Sequence, residues 1–464
     1  MVASDKISLT RNIPDTRLDE CKYWHYPEDL PTASVIIVFH NEGFSTLLRT
    51  VHSVIKTSPY RLLKEVVLVD DFSDKIDLKG RLDKYIEQFN GLVKLYRNPE
   101  RLGLIGTRSK GATLATGDVI VFLDAHCECG KNWLVPLLAR IRQNRTTMAV
   151  PTIDGIDWND FHYSPVYNKH SHYRGIFEWG FLYKESEVPK APTHAGGLFA
   201  IDRNYFIELG MYDPGLQIWG GENFELSFKI WQCGGSIVWV PCSRVGHVYR
   251  NHMPYGFGKI NPKIPVILIN YMRVVEVWLD PEFRDYFYTR EPTIRGYPIG
   301  NISEQLAFKE RNKCKSFKWY MDNIAIEVYQ MFPPPPPNIG WGEIKLRTES
   351  ICWDARGESA GGGPIGSSSC HHMGGGQLFR FNKRGQIGYG ERCIDKYGSN
   401  QISIHYCPVD PSGRWIFEEK TGLIKYGESG LCARAERVGG KLSLESCDPS
   451  DRYQSFEIKN IKIW

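Results

Sequence analysis

An aspartate and a histidine two residues apart stand at the end of an apolar run, in Val119-Ile-Val-Phe-Leu-Asp-Ala-His-Cys-Glu-Cys129. In extended chain such residues point the same way, so the Asp124 carboxylate and the His126 imidazole converge on one spot. A hard oxygen ligand beside an imidazole suits a divalent cation such as Mn²⁺. The same residues equally describe an Asp that caps the next helix and a His in a loop. Cys127 and Cys129 open a third reading, a zinc site, against which no second Cys pair stands at zinc-ribbon spacing. His247, in Cys242-Ser-Arg-Val-Gly-His-Val-Tyr-Arg250, offers a further imidazole. Asp70 and Asp71 close another apolar run, where a carboxylate can accept hydrogen bonds from a ribose or a base, or cap a helix through Asp71 or Ser73. Two Gly-Gly pairs, in Thr193-His-Ala-Gly-Gly-Leu198 and Ile218-Trp-Gly-Gly-Glu-Asn-Phe-Glu-Leu226, allow close backbone approach to a ligand or make turns. The second pair leads into an acid at a helix entrance.

The elements that must position these groups alternate. Ser34-Val-Ile-Ile-Val-Phe-His40 reads as a buried strand, followed by a helix over about 45–56. The strand Glu65–Asp71, an amphipathic segment over 78–89, the strand Val93–Tyr96 and a helix over 105–115 lead to the Asp124 strand. This pattern predicts a doubly wound, mostly parallel sheet with right-handed crossovers, whose ligands bind at the strand ends. No Gly-x-Gly-x-x-Gly comes after the first strand, so a dinucleotide fold is not supported. A nucleotide lying along the strand ends, its phosphates held by a metal at Asp-x-His, accounts for the pieces together. Beyond 150 the chain reads as loop-rich and aromatic up to a helix that starts after Glu222.

At 464 residues the chain is long enough for two or three domains. Its net charge of +4, without long basic runs, argues against a nucleic-acid binder. Twelve cysteines, regularly placed in the C-terminal part, read mostly as disulfides of a secretory-pathway protein. The sequons Asn144-Arg-Thr146 and Asn301-Ile-Ser303 agree. Residues 1–30 are polar and irregular, with Cys21 as a staple to a distant partner. The start, Met1-Val-Ala-Ser4, reads as the scar of a trimmed chain whose native membrane anchor is expected upstream.

Pro333 to Pro337 form a stiff spacer and a boundary. Beyond this spacer the chain repeats about every 40 residues. Cys352-Trp-Asp with Cys370, Cys393-Ile-Asp with Cys407, and Cys432-Ala-Arg with Cys447 begin three units. These close with the aromatic frameworks Gln377-Leu-Phe379, Trp415-Ile-Phe417 and Gln454-Ser-Phe456.

Together these stretches resemble the polypeptide N-acetylgalactosaminyltransferases, which start mucin-type O-glycosylation. The likeness spans residues 20–464 and rests on His40-Asn-Glu42, Val69-Asp-Asp71, Asp124-Ala-His126, Ala195-Gly-Gly-Leu-Phe199, Trp219-Gly-Gly-Glu222, Arg244-Val-Gly-His247 and the three-unit C-terminal part. It implies a GT-A-type catalytic domain over 31–332 after an N-terminal stem remnant (1–30). A proline-rich linker (333–340) and a ricin-type β-trefoil lectin domain (341–464) complete the chain. It also implies a UDP-GalNAc donor, Mn²⁺, a Ser/Thr-containing peptide or GalNAc-glycopeptide acceptor, no nucleic acid, and a Golgi-lumenal, type II membrane protein in native form. Cys370-His-His-Met-Gly-Gly-Gly-Gln-Leu-Phe379 and Asn223-Phe-Glu225 look most like the branch preferring acceptors that already carry GalNAc.

Carried over by position, Asp124, His126 and His247 resemble the metal triad. Asp71 and His40 resemble uridine contacts, with Val38 and Ala125 contributing backbone. Arg101 and Arg108 resemble basic residues around the donor, Arg108 near the sugar, and Gly196 and Gly197 face its ring. Trp219 belongs to the loop over the donor, Glu222 and Asn223 to the reacting face, and Arg250 and Tyr255 to the pyrophosphate. Asp354 and Asp395 resemble sugar-binding carboxylates of the lectin units, whereas Arg434 makes the third unit structural. The resemblance pairs Cys21 with Cys242, Cys233 with Cys314, and one pair within each lectin unit, leaving Cys127 and Cys129 as free thiols.

The chain departs from the family pattern at four places. Leu102 stands where Glu is usual, Gly106 where Arg is, and Met253 at a common His position beside His252. The 183–194 segment is short, with His194 for a frequent Met. They leave a rival expectation, a catalytically weak member acting as a lectin or regulatory protein.

Overall fold

Apolar residues fill both faces of the first strands, and the reason is visible in their pairing. The computed structural model describes residues 2–166, 171–250, 256–257, 260, 264–358, 362–407 and 414–461. Strands β1 (Ala33–Phe39), β2 (Leu63–Asp70), β3 (Val93–Arg97) and β4 (Val119–Asp124) lie parallel in the order β3-β2-β1-β4. Every residue of β1 is buried, as a central parallel strand covered on both sides requires. Helices α1 (Phe44–Thr57), α2 (Gly80–Ile86) and α3 (Gly103–Leu114) make the crossovers. The expected amphipathic segment over 78–89 is α2 flanked by two short 3₁₀ turns, ending at Asn90 in the left-handed region.

Beyond β4 the sheet becomes mixed. The short β5 (Cys127–Cys129) and helix α4 (Leu134–Gln143) precede β6 (Thr147–Ile156), β7 (Phe199–Asp202), helix α5 (Glu222–Gln232), β8 (Ser236–Val248) and helix α6 (Val266–Trp278). β7 runs antiparallel between β4 and β6, β8 runs parallel to β6, and β5 pairs antiparallel with β8. The parallel, doubly wound part is therefore its first half. The aromatic stretch after 150 is not wholly loop. Arg174–Phe177 and Tyr183–Ser186 form a hairpin, and Phe177 and Phe181 pack on Phe224 and Phe228 of α5. That satellite core fixes the helix carrying Glu222.

The irregular N-terminal segment is tied down by polar contacts. Buried Arg49 donates to the carbonyls of Ser4 and Ile7, Arg11 forks onto Glu128 at 2.7 and 2.8 Å, and Cys21 is disulfide-bonded to Cys242. Cys233 bonds Cys314. Residues 1–280 with 298–330 form one compact unit, and 281–297 with 331–464 a second. No helix among the described residues is long and apolar enough to cross a membrane.

In the second unit twelve short strands among the described residues form one curled antiparallel sheet. Phe379, Trp415 and Phe456 surround the buried Trp353 at 5.8–6.3 Å between ring centroids. The repeat thus aligns Trp415, not Phe417, with Phe379 and Phe456. Gln377 donates to Ser369 O while accepting from His371 N, and Gln454 does the same with Ser446 O and Asp448 N. Each unit carries one disulfide, Cys352–Cys370, Cys393–Cys407 and Cys432–Cys447. This is a β-trefoil.

Candidate functional site

The end of β4 delivers Asp124 and, two residues on, His126. β5 then pairs with β8 so that Cys127 stands opposite His247, with Val248 N donating to His126 O at 3.0 Å. That register brings an imidazole from 121 residues downstream of His126 to the same spot. Ligand atoms of Asp124, His126 and His247 all lie within 4.8 Å of one another. His247 Nε2 is 3.2 Å from Asp124 Oδ2. His126 Nδ1 meets the Glu42 carboxylate at 3.0 Å, which leaves Nε2 for a metal. His247 Nδ1 is buried with no hydrogen-bond partner among the described residues. One carboxylate and two imidazoles, one backed by a carboxylate, fit a Mn²⁺ ion. Burial pushes the Asp124 carboxyl up, but the hydrogen bond from His247 and the Arg108 charge outweigh it, so it stays ionised. Burial also lowers the His247 imidazole, favouring the neutral form a ligand needs. Cys127 and Cys129 lie in the hydrophobic core as free thiols, raised by burial, and take no part in the cluster. The zinc reading therefore has no ligand set around these thiols among the described residues.

Val38, His40, Asp71, Arg101, Arg108, Ala125, Gly196, Gly197, Trp219, Glu222, Asn223 and Arg250 line one cleft of ≈ 670 Å³ with these ligands. Tyr255, and the departures at His252 and Met253, lie outside the described residues. At one end, His40 Nδ1 meets Asp71 O at 2.8 Å. The Asp71 carboxylate accepts from Asn98, from Arg101, and from the backbone N–H groups of Leu102 and Gly103 at the start of α3. It caps α3, not the helix after its own strand; the turn after β2 is closed by Asp70 accepting from Ser73 N.

Towards the middle, buried Arg108 donates to Gly196 O at 2.6 Å, Gly197 O at 3.0 Å and Asp124 Oδ1 at 2.9 Å. A Cβ on Gly197 would sit 2.6 Å from Asp124 Oδ2, so only glycine lets this backbone pass the carboxylate. Glu222 opens α5, 4% exposed, and its Oε2 accepts from Gly220 N at 2.8 Å. Burial raises its carboxyl against the pull of Arg108. Asn223 donates to His194 O at 3.3 Å.

Glu42 belongs to the His40-Asn-Glu42 motif, yet sequence reasoning assigns it no role of its own. It is 9% exposed and accepts from His126 and, at 2.6 and 2.7 Å, from Arg250. Burial would push its carboxyl up, but those two partners hold it down at about 2. It orients a candidate metal ligand and a candidate phosphate contact together. The signal for it is weak, because Asn41 takes a left-handed conformation (φ 52°) that breaks the strand alternation before Glu42.

His194 explains itself by burial. It is 0% exposed with Nδ1 2.9 Å from Ser227 Oγ, and burial, aided by Arg108, lowers the imidazole to about 3. A base whose folded pKa lies below its unfolded value contributes stability that is complete above the unfolded pKa and lost as pH falls towards the folded one. Against an ordinary value near 6.5, about 2 kcal/mol should be lost between pH 7 and pH 5. Urea midpoints of wild type and His194→Leu at the two pH values check this. The variant should lose less stability on acidification, and parallel losses would refute the assignment.

In the trefoil the two candidate carboxylates differ. Asp354 accepts from Ser368, from Gln377 Nε2 at 3.0 Å and from Arg356 N at 2.7 Å. Asp395 accepts from Tyr426 OH at 2.8 Å and faces the Arg414 guanidinium at 3.3 Å. Arg434 is paired with Asp451, Glu436 and Glu445.

A mixed sheet with a carboxylate–imidazole cluster at its strand ends, joined to a β-trefoil, defines a metal-assisted glycosyltransferase with a lectin unit. The Glycosyl transferase family 2 profile matches residues 34–210, the N-terminal domain of galactosyltransferase 184–253, and the Ricin-type beta-trefoil lectin domain 340–456. The chain is 55% identical over 480 residues to N-acetylgalactosaminyltransferase 7 of Drosophila melanogaster, covering 100% of this chain and 81% of that protein. It is 46% identical over 483 residues to N-acetylgalactosaminyltransferase 7 of Homo sapiens, covering 99% and 73%. A crystal structure described as GalNAc-T7 with UDP, GalNAc and Mn²⁺ superposes with a TM-score of 0.91 at 45% identity, covering 100% of this chain and 88% of that one. The chain belongs to the polypeptide N-acetylgalactosaminyltransferase family.

Proposed function

We propose that this protein transfers GalNAc from UDP-GalNAc to Ser or Thr hydroxyls of polypeptides with retention at the anomeric carbon, preferring acceptors that already carry GalNAc. The observation that carries the reading is the convergence of Asp124, His126 and His247 in a cleft shared with Gly197, Arg108 and Glu222. The solved relative with UDP, GalNAc and Mn²⁺ supports donor and metal, and the naming of full-length relatives supports the reaction.

In this reading Asp124, His126 and His247 hold Mn²⁺, which when bound supplies Lewis-acid stabilisation of negative charge on the diphosphate. His40 and Asp71, with backbone of Val38 and Ala125, hold the uridine end. Arg101 pairs with Asp71 from a side chain that lines the cleft. Arg108 fixes the Gly196-Gly197 backbone against the sugar ring, and Arg250 and Tyr255 take the pyrophosphate. The acceptor hydroxyl attacks from the face the diphosphate leaves and passes its proton to the departing diphosphate oxygen. Glu222, with Trp219 and Asn223, orients donor and acceptor and steadies positive charge on the sugar; it does not act as a double-displacement nucleophile.

Leu102 favours catalysis over a purely regulatory role, because its contribution to the site is its backbone N–H, 2.8 Å from Asp71 Oδ1, which needs no Glu side chain. Five disulfides and exposed sequons at Asn144 and Asn301 support a Golgi-lumenal setting. The test is UDP release from UDP-GalNAc with a panel of peptides and GalNAc-peptides, with and without Mn²⁺. Metal-dependent release, fastest with GalNAc-peptides, is expected; no release above donor hydrolysis with any acceptor would refute the reaction.

The trefoil adds a second expectation. A fixed carboxylate accepts from a pair of ring hydroxyls, which a guanidinium, having only donors, cannot do. Asp354 is held in place by neutral donors, Ser368, Gln377 and Arg356 N, whereas Asp395 faces the Arg414 charge, so Asp354 is the better fixed sugar acceptor. Asp354→Ala should weaken free GalNAc binding about tenfold or more, and lower the preference for acceptors with a distant GalNAc through lost tethering. Naked-peptide turnover should stay unchanged. Titration of GalNAc into Asp354→Ala, Asp395→Ala and Arg434→Ala decides it; loss only in the Arg434 variant would sink the assignment.

A further inference from the structure

The loop that presents Trp219 and runs into Glu222 hangs on one side chain from another helix. Asn270 of α6 is 0% exposed. Its Oδ1 accepts from Gln217 N at 2.9 Å. Its Nδ2 donates to Gln217 O at 2.8 Å, Gly220 O at 2.9 Å and, more weakly, Trp219 O at 3.2 Å. One buried amide thus satisfies both N–H and C=O groups of the 217–220 backbone, and its orientation is fixed because three carbonyls surround Nδ2 and one N–H faces Oδ1.

The backbone it holds is not one the chain adopts unaided. Ile218, a β-branched residue, lies at φ +53°, and Gly220 and Gly221 come next at +96° and +90°. Such a conformation in a β-branched residue persists only where the surroundings over-determine it. From the opposite side, Ile218 O accepts from Leu104 N at 2.8 Å at the start of α3, and a Cβ on Gly103 would come within 2.3 Å of Ile218 Cα. The loop is therefore pinned between α3 and Asn270. Gly220 N, freed to face inward by this geometry, is the donor to Glu222 Oε2.

From this we infer that Asn270 is a positioning residue for the transfer step, setting the backbone of Gln217–Gly220 and through it the aim of Trp219 and Glu222; the inference rests on the reaction proposed above. Asn270 is not among the described residues that line the cleft. Its loss acts on the sugar end of the cleft and spares the nucleotide end, which Asp71 and His40 hold.

Asn270→Asp tests this, since aspartate keeps the shape and the acceptor for Gln217 N but turns an oxygen towards three carbonyls. The turnover number should fall about 100-fold, while UDP affinity in Mn²⁺, read by calorimetry, stays within about threefold. Placed in a Trp219→Ala background, the same change should cost less than about threefold, because residues acting through one another are not additive. A wild-type chain without transfer would sink the reaction itself and this role with it. With an active wild type, three results overturn the role of Asn270 alone: an aspartate variant near wild-type turnover, equal losses in both backgrounds, or UDP affinity that is still measurable in the aspartate variant but falls in step with turnover. If the aspartate variant no longer binds UDP, Asn270→Ser takes its place. Loss of UDP binding there too would mean that Asn270 supports the whole unit, which also overturns the inference.

Discussion

Replacing His247 with alanine is expected to reduce GalNAc transfer by at least about 100-fold while leaving the protein folded. His247 lies at the end of β8 with Nε2 3.2 Å from Asp124 Oδ2, and the three candidate ligands converge within 4.8 Å. Removing it leaves a carboxylate and one imidazole, a donor set that holds a divalent cation poorly. The core should be little affected. His247 reaches the cleft, and the Asp124 charge keeps Arg108 as a partner at 2.9 Å. The measurement is transfer rate against Mn²⁺ concentration alongside thermal melting. Partial recovery at high Mn²⁺ fits a weakened site, because binding lost in affinity is regained by mass action. A variant with wild-type melting and near-normal transfer would show that His247 is not a ligand.

The second large effect concerns Arg108. Its guanidinium spreads over Gly196 O, Gly197 O and Asp124 Oδ1, and it is 1% exposed. A lysine keeps the charge but offers one compact ammonium on a different stem, which cannot span three acceptors lying on a fork. Arg108→Lys should therefore slow transfer by about 100-fold through a misplaced Gly-Gly backbone, with UDP affinity nearly unchanged. Arg108→Ala goes further, leaving Gly196 O and Gly197 O without their donor and Asp124 with His247 as its remaining partner, at a cost of about 1–3 kcal/mol in stability. Transfer kinetics and calorimetric UDP titration of the lysine variant decide the case. Near-wild-type turnover, or a loss of UDP affinity that matches the loss of rate, would show that Arg108 does not act on the sugar side.

Much of the catalytic half was legible because its signals are local. A buried parallel strand must be apolar on both faces and must end where the chain reaches solvent, so Asp124 and His126 announce the strand end by themselves. The lectin repeat was legible for a similar reason, since each unit carries its own Cys and aromatic spacing. The second unit closes on Trp415 without the glutamine that precedes Phe379 and Phe456, and Trp415 packs on Trp353 as those two rings do.

Where a residue's role depends on a partner far along the chain, only the tertiary structure decided it. Asp71 reads as a cap for the element after its own strand, yet it caps α3 some thirty residues on, because the parallel order of β1, β2 and β3 lays that helix start beside the β2 end. Glu42 bridges His126 and Arg250, which lie 84 and 208 residues away. Asn270 sits in an apolar helical run, Val266–Trp278, where sequence pattern marks it only as an interruption. Hydrophobic periodicity and turn chemistry report on neighbours within a few residues, and they suffice for the strands and helices up to β4 and the groups at their ends. Hydrogen bonds between distant backbone and buried polar side chains are set by sheet register and helix packing, whose partners leave no mark on local sequence.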